Sequence, residues 1–139
     1  MKFQKFKNFY LLSLGNGEKV NESLKKFCQR QAKNGGFFIG IGALKNCILA
    51  HFDPKTKKYT EKKFKGQFEL SNITGNVCFF KNQILVHSHC TLGDKSLKSF
   101  AGHLVEAEVS GAFELLFFPF PKKIRKRKDK KTGLKLMDL

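Results

Sequence analysis

Val86-His87-Ser88-His89-Cys90-Thr91-Leu92-Gly93 is the stretch on which the reading of this chain turns. Apolar and β-branched residues share it with small polar ones, as in a half-buried strand, and Gly93-Asp94 ends the run. Residues two apart on a strand leave the same face, so His87 and His89 project together while Cys90 points to the other side. Two imidazoles on one face can converge on a single ion, but a metal site of this kind needs a third donor. His103 supplies it if Phe100-Ala101-Gly102-His103-Leu104 folds back against this strand, and the small residues before the histidine permit a close approach. Three neutral imidazoles with one open position suit zinc or another divalent metal. On spacing alone the signal is weak, and the competing reading is a polar stripe on a solvated sheet face. His51, in Ala50-His51-Phe52 with no second histidine beside it, reads as an ordinary half-buried ring.

Outward from this stretch the chain reads as strands around one helix. Residues 6 to 14, with Phe9-Tyr10-Leu11-Leu12-Ser13-Leu14, read as a first strand closed by the turn signal Gly15-Asn16-Gly17. Val20, Leu24, Phe27 and Cys28 then recur at the spacing of one helical face, with Glu22, Lys25, Lys26, Gln29 and Arg30 opposite, until Gly35-Gly36 stops the helix. Phe37 to Leu44 is a strand whose glycines allow a bend, and a second strand runs on to Phe52. Asp53-Pro54-Lys55-Thr56-Lys57 turns into Tyr59 to Phe64, a Lys-rich hairpin. Gln67 to Phe80 reads as two strands parted at Thr74-Gly75-Asn76. Lys81-Asn82-Gln83 turns the chain into the histidine strand, and Val105 to Ala112 and Phe113 to Phe120 supply the last strands. The expected class is α+β, a mixed and largely antiparallel sheet with one main helix.

The 139 residues suit one domain, and 41% apolar residues with sixteen Phe supply a core. Charge is the dominant compositional feature: 27 Lys plus Arg against 11 Asp plus Glu give +16. Such a field attracts polyanions, nucleic acid first, although a coding bias toward lysine is the plainer alternative. Residues 122–139 carry nine basic and two acidic residues, a net +7 that leaves +9 on the body of residues 1–121. This end reads as a solvated, flexible basic tail. Cys28, Cys47, Cys78 and Cys90 have no C-x-x-C pair and read as small core residues. With no leader-like stretch at Met1 to Lys7 and no run near the ~20 apolar residues of a membrane span, a reducing cytoplasm is expected.

Four stretches, in order, resemble one known family. They are Gly40-Ile41-Gly42-Ala43-Leu44; Gly66-Gln67-Phe68-Glu69-Leu70; Val86 to Gly93; and Gly102-His103-Leu104 followed by Val109 and Phe113-Glu114-Leu115. On these the chain is identified as a member of the plants-and-prokaryotes-conserved (PPC) domain family, of the prokaryotic stand-alone type. The resemblance implies a homotrimer of α+β subunits, with one metal per subunit on the histidines that match His87, His89 and His103. In plants the domain accompanies AT-hook motifs in nuclear DNA-binding proteins, and prokaryotic members carry a DNA-binding description by that association. No Arg-Gly-Arg-Pro core occurs here, so the minor-groove reader of the plant proteins is missing. The fold is also similar to that of zinc-dependent acetolactate decarboxylases and a related ester hydrolase, which hold zinc with three histidines. Glu69, Glu106, Glu108 and Glu114 are the carboxylates available as a general base beside such a metal, or as partners of lysine or of a ligand histidine.

Two functions follow as expectations. The first is sequence-nonspecific, electrostatic binding of DNA or another polyanion through Lys122, Lys123, Arg125, Lys126, Arg127, Lys128, Lys130 and Lys131, with help from Lys55, Lys57, Lys58, Lys62, Lys63 and Lys65. The alternative is a zinc-dependent hydrolase or lyase acting on a small carbonyl-containing ligand at the metal. No nucleophile elbow, phosphate loop or dinucleotide fingerprint offers a rival chemistry. Attachment to a membrane surface ranks last, because the tail lacks an apolar face or lipidation site.

Overall fold

Alternating burial along long extended segments builds most of the protein, whose computed structural model describes residues 1–139. The elements are β1 (Lys2–Lys5), β2 (Tyr10–Leu14), α1 (Val20–Arg30), β3 (Gly36–Asp53), β4 (Lys58–Phe80), β5 (Gln83–Gly93), β6 (Ser99–Pro119), β7 (Arg125–Lys128) and β8 (Lys135–Asp138). They form one sheet in the order β1-β2-β6-β3-β4-β7-β8, with β5 paired to both β4 and β6. β3, β4, β5 and β6 therefore close a ring of pairings, in which the histidine strand β5 pairs with β4 along its length and with β6 from His89 to Gly93. All pairings are antiparallel except β4 with β7, so the sheet is mixed.

α1 lies against the sheet with Val20, Leu24, Phe27 and Cys28 buried, the face that its periodicity predicts. Lys19 precedes the helix without a side-chain cap, and Glu106 on β6 takes that role by accepting the Asn21 backbone N–H at 2.9 Å. The Asn21 amide in turn donates to the Val105 carbonyl at 2.8 Å, fixing the helix start to β6. Beneath the helix, Phe117 meets Phe27 edge-on at 5.2 Å between ring centroids and stacks on Phe38 at 6.4 Å, all three fully buried. Each such ring contributes about 1.5–3 kcal/mol by leaving water.

Several expected breaks are absorbed inside continuous strands. Phe37 to Leu44 and the following run to Phe52 are one strand, β3, bent by register shifts at Gly40/Gly42 and Lys45/Cys47, with Asn46 at φ 52° taking up the second. The runs from Val105 to Ala112 and from Phe113 to Pro119 are likewise one strand, β6, with a matching shift against β3, and Phe120 lies just beyond it. Thr74-Gly75-Asn76 is no turn but the middle of β4, where Gly75 faces Ser88. A side chain there would run into the His87 carbonyl oxygen and the Phe38 ring, so glycine serves close packing rather than a bend. Lys2–Lys5 adds an edge strand that composition did not mark.

The largest departure is at the C-terminal end. Residues 122–139, expected as a solvated and flexible tail, contain the hairpin β7–β8, and Arg125 pairs with Phe79 at the end of β4. Gly133 at φ 79°, after Asp129-Lys130-Lys131-Thr132, makes the tight return, and the Asp129 carboxylate accepts from the Thr132 N–H at 2.7 Å. No helix of the chain is long and apolar enough to cross a membrane.

Candidate metal centre

The strand register brings the histidines together. His89 on β5 stands directly opposite His103 on β6, and His87 lies two residues along on the same face. Ring centroids are 5.4 Å apart for His87–His89, 5.3 Å for His87–His103 and 5.6 Å for His89–His103. One ring nitrogen from each lies within 4.8 Å of the others, a spread compatible with three ligands of a single ion. Two local features permit this. Ser88, between the histidines, turns its side chain to the buried face of β5. Gly102, before His103, lies so near β3 that a Cβ there would be 3.2 Å from the Ala50 carbonyl oxygen.

The electrostatics keep these rings in the form that ligates. Burial, reinforced by Lys126, His103 and His89, pushes the His87 pKa down to about 4. Burial also lowers His103, with His89 and Lys126 adding to the effect and Glu61 opposing it. Both rings are therefore neutral near pH 7, with a free lone pair each. His103 Nδ1 is buried with no hydrogen-bond partner, an orphaned polar atom of the sort a metal ion would satisfy. The donor set thus fits one divalent cation, with zinc as a chemically suitable occupant.

The trio forms part of the wall of a cavity of about 820 Å³. Ala50, His51 and Phe52 of β3 and Tyr59 of β4 line one side, and the Tyr59 ring sits 5.4 Å from that of His103. Leu85 and Val86 continue the apolar lining, and the hairpin contributes Lys126 and residues Gly133 to Leu136. His51, expected as a half-buried ring, is exposed and lines this cavity, because it stands near the end of β3 where the strand leaves the core. Cys90 packs in the core on the face away from the histidines, its thiol pushed up to about 12 by burial.

The four carboxylates considered as a general base lie elsewhere. Glu106 caps α1, and Glu108 pairs with Lys45 at 2.9 Å. Glu69 and Glu114 are exposed, opposite Gly93 and Ser13 in their ladders. No Asp or Glu lines the cavity; its charged side chains are Lys57, Lys126 and Lys135. Of the eight basic residues assigned to the tail, seven remain exposed, whereas Lys126 is buried at 8% exposure. Its inward turn was illegible because Arg125-Lys126-Arg127-Lys128 has no apolar alternation. The only sequence cue was the pair Leu134 and Leu136 flanking Lys135 after Gly133, a hairpin signal hidden among lysines.

Comparison with known proteins completes the picture. The model of the Plants and Prokaryotes Conserved (PCC) domain matches residues 1–121. Similar solved structures include a candidate DNA-binding protein from Bacteroides thetaiotaomicron, at 34% identity and TM-score 0.93, covering 99% of this chain and 96% of that one. A plant- and prokaryote-conserved protein from Pyrococcus horikoshii is 32% identical with TM-score 0.86 over 99% and 94% of the two chains. A metal-containing protein from Archaeoglobus fulgidus is 26% identical with TM-score 0.87 over the full length of both. Among curated proteins the chain finds no significant match.

Proposed function

This chain belongs to the Plants and Prokaryotes Conserved domain family, and from that premise we propose that it is a metal-binding protein. One divalent ion per subunit, zinc first, is held by His87, His89 and His103. The observation that carries this reading is the convergence of three imidazole nitrogens within 4.8 Å on the wall of a cavity. The metal-containing relative from Archaeoglobus fulgidus supports it. When bound, such an ion supplies Lewis-acid polarisation of a ligand oxygen. The test is metal analysis after purification without chelator. About one zinc per chain is expected for the wild type and less than a tenth of that for His103→Ala and His89→Ala. Equal metal content in all three proteins would sink the assignment.

A second reading, nonspecific binding of DNA or another polyanion in the cytoplasm, is favoured by the charge of +16 and by seven exposed basic residues on the C-terminal segment. The candidate DNA-binding relative at 34% identity agrees with it. Seven phosphate contacts would give a log–log salt slope of about −6, from roughly −0.9 per phosphate. A mobility-shift series without binding at low salt defeats this reading. Exposed Leu11 on β2 and Ile39 and Ile41 on β3, flanking β6, form an apolar patch that suits burial between subunits, as in the trimer expected of the family. Light scattering should then give three times the 15.9 kDa chain mass. A hydrolase or lyase ranks below these, because the cavity offers His51 and Tyr59 but no carboxylate for proton transfer.

A further inference from the structure

Lys126 is the one charged residue that the fold largely covers, at 8% exposure, and what stays accessible lines the histidine cavity. It joins none of the four ion pairs of the chain and makes no side-chain hydrogen bond. Its stem is covered while its ammonium still borders the cavity, and a largely covered cation without a counter-charge weakens a fold, so its retention calls for an anion from elsewhere. Its surroundings supply no anion. The groups whose charge it feels are Cys78 and Lys135, and Cys78 carries a thiol that burial keeps protonated. Lys126 does line the histidine cavity, and its field reaches both His87 and His103. The missing counter-ion is therefore expected from the cavity.

The rest of the lining narrows its chemistry. Leu85, Val86, Phe52 and Leu134 make apolar walls, while Lys57 and Lys135 add positive charge around the same space. A phosphate group ordinarily meets several cations or a cluster of backbone N–H groups at a helix N-terminus. Here only one of the three lysines is turned inward, Lys57 and Lys135 being exposed at the margin, and the apolar walls beside it match one negative charge on an apolar body. About 820 Å³ is ample for a ligand of drug-fragment size.

We propose that the cavity binds a small organic carboxylate, its acid group paired with Lys126 and its apolar body along the Leu85, Val86 and Leu134 wall, with its remaining polar end toward the three histidines. This deepens the metal-site reading and rests on it for the contact with the histidines; the pairing with Lys126 does not depend on the metal.

The experiment titrates 3-phenylpropionate, and separately its neutral amide, into zinc-supplemented wild-type protein and into Lys126→Met and Lys126→Gln, by calorimetry and thermal shift, with zinc content measured on every sample. Expected are binding of the carboxylate to wild type, at least tenfold weaker binding of the amide, and at least tenfold weaker carboxylate binding by both variants at unchanged zinc content. Both variants should also melt no lower than the wild type, and the carboxylate should raise the wild-type Tm but not theirs. Carboxylate binding equal across the three proteins, equal binding of acid and amide, or no carboxylate binding by zinc-loaded wild type overturns the proposal and leaves the metal site standing. Displacement of the carboxylate by equimolar inorganic phosphate overturns the choice of anion. A wild type that takes up no zinc on supplementation, yet binds the carboxylate with both variants weakened, overturns the metal reading and leaves the Lys126 pairing standing.

Discussion

Gly75→Ala places a methyl group where β4, β5 and the core meet, and its cost can be worked from the surrounding atoms. The new Cβ would lie 2.5 Å from the His87 carbonyl oxygen, 2.6 Å from Ser88 Cβ and 2.7 Å from Phe38 Cζ. Real Cβ contacts almost never fall below 3.0 Å, so these neighbours must give by between about a third and a half of an ångström. None is the loose end of a flexible chain. His87 and Ser88 are held in the ladder to β4 just ahead of the stretch, His89 to Gly93, that β6 also pairs, and the Phe38 ring is fully buried and stacked on Phe117. Overpacking of this kind costs about 1–3 kcal/mol, which for a chain of this size lowers Tm by roughly 3–12 °C. The urea midpoint should fall with an unchanged slope. Because the strained backbone is that of His87 itself, zinc affinity measured against a competing chelator should fall as well. Gly93→Ala is the control, since its Cβ would meet nothing closer than 4.0 Å and the change should stay within about 0.5 kcal/mol. A Gly75→Ala protein with the wild-type urea midpoint would refute the reasoning, for it would mean that strand and ring yield without cost.

Other consequences are open to direct measurement. His87 and His103 titrate below their ordinary value in the folded, metal-free protein, His87 at about 4 against 6.5. The unfolded chain therefore takes up these protons first, and the urea midpoint of chelator-treated protein should drop as pH falls from 6.5 towards 4; a midpoint that is flat or rises contradicts the shift. The thiols of Cys28, Cys47 and Cys90 are buried and pushed up to about 12, 11 and 12, and Cys78 is raised in the same direction. Native protein should resist Ellman's reagent at pH 8 and denatured protein should show four thiols, so rapid reaction of the native form counts against the packing. Brief trypsin digestion should cut at Lys130 and Lys131 in the hairpin turn before Arg125 and Lys126 in β7, and immediate cleavage at Arg125 to Arg127 would mean an undocked segment. Phe117→Ala removes a fully buried ring between Phe27 and Phe38 and should cost about 3–5 kcal/mol by urea denaturation; a loss below 1 kcal/mol would be incompatible with the core described.

What could be read along the chain was whatever depends on near neighbours. The apolar face of α1 follows from the four-residue recurrence of Val20, Leu24 and Cys28, and it is the face that the fold buries. The shared face of His87 and His89 follows from the two-residue period of a strand, which no tertiary contact can alter without a bulge. Family membership was legible for the same reason, in short ordered motifs. Tertiary structure alone decided the rest. Whether His103 meets His89 depends on the register of β5 on β6, to which spacing is blind. Whether Gly75 breaks a strand or lets two strands pack depends on Phe38, thirty-seven residues away. The C-terminal segment shows the division most sharply: its composition predicts solvation, and seven of its eight clustered basic residues are solvated. The eighth, Lys126, is buried because one parallel bridge to Phe79 docks its strand over the histidines. Local pattern fixes what a residue can do, but a single long-range pairing fixes what it faces.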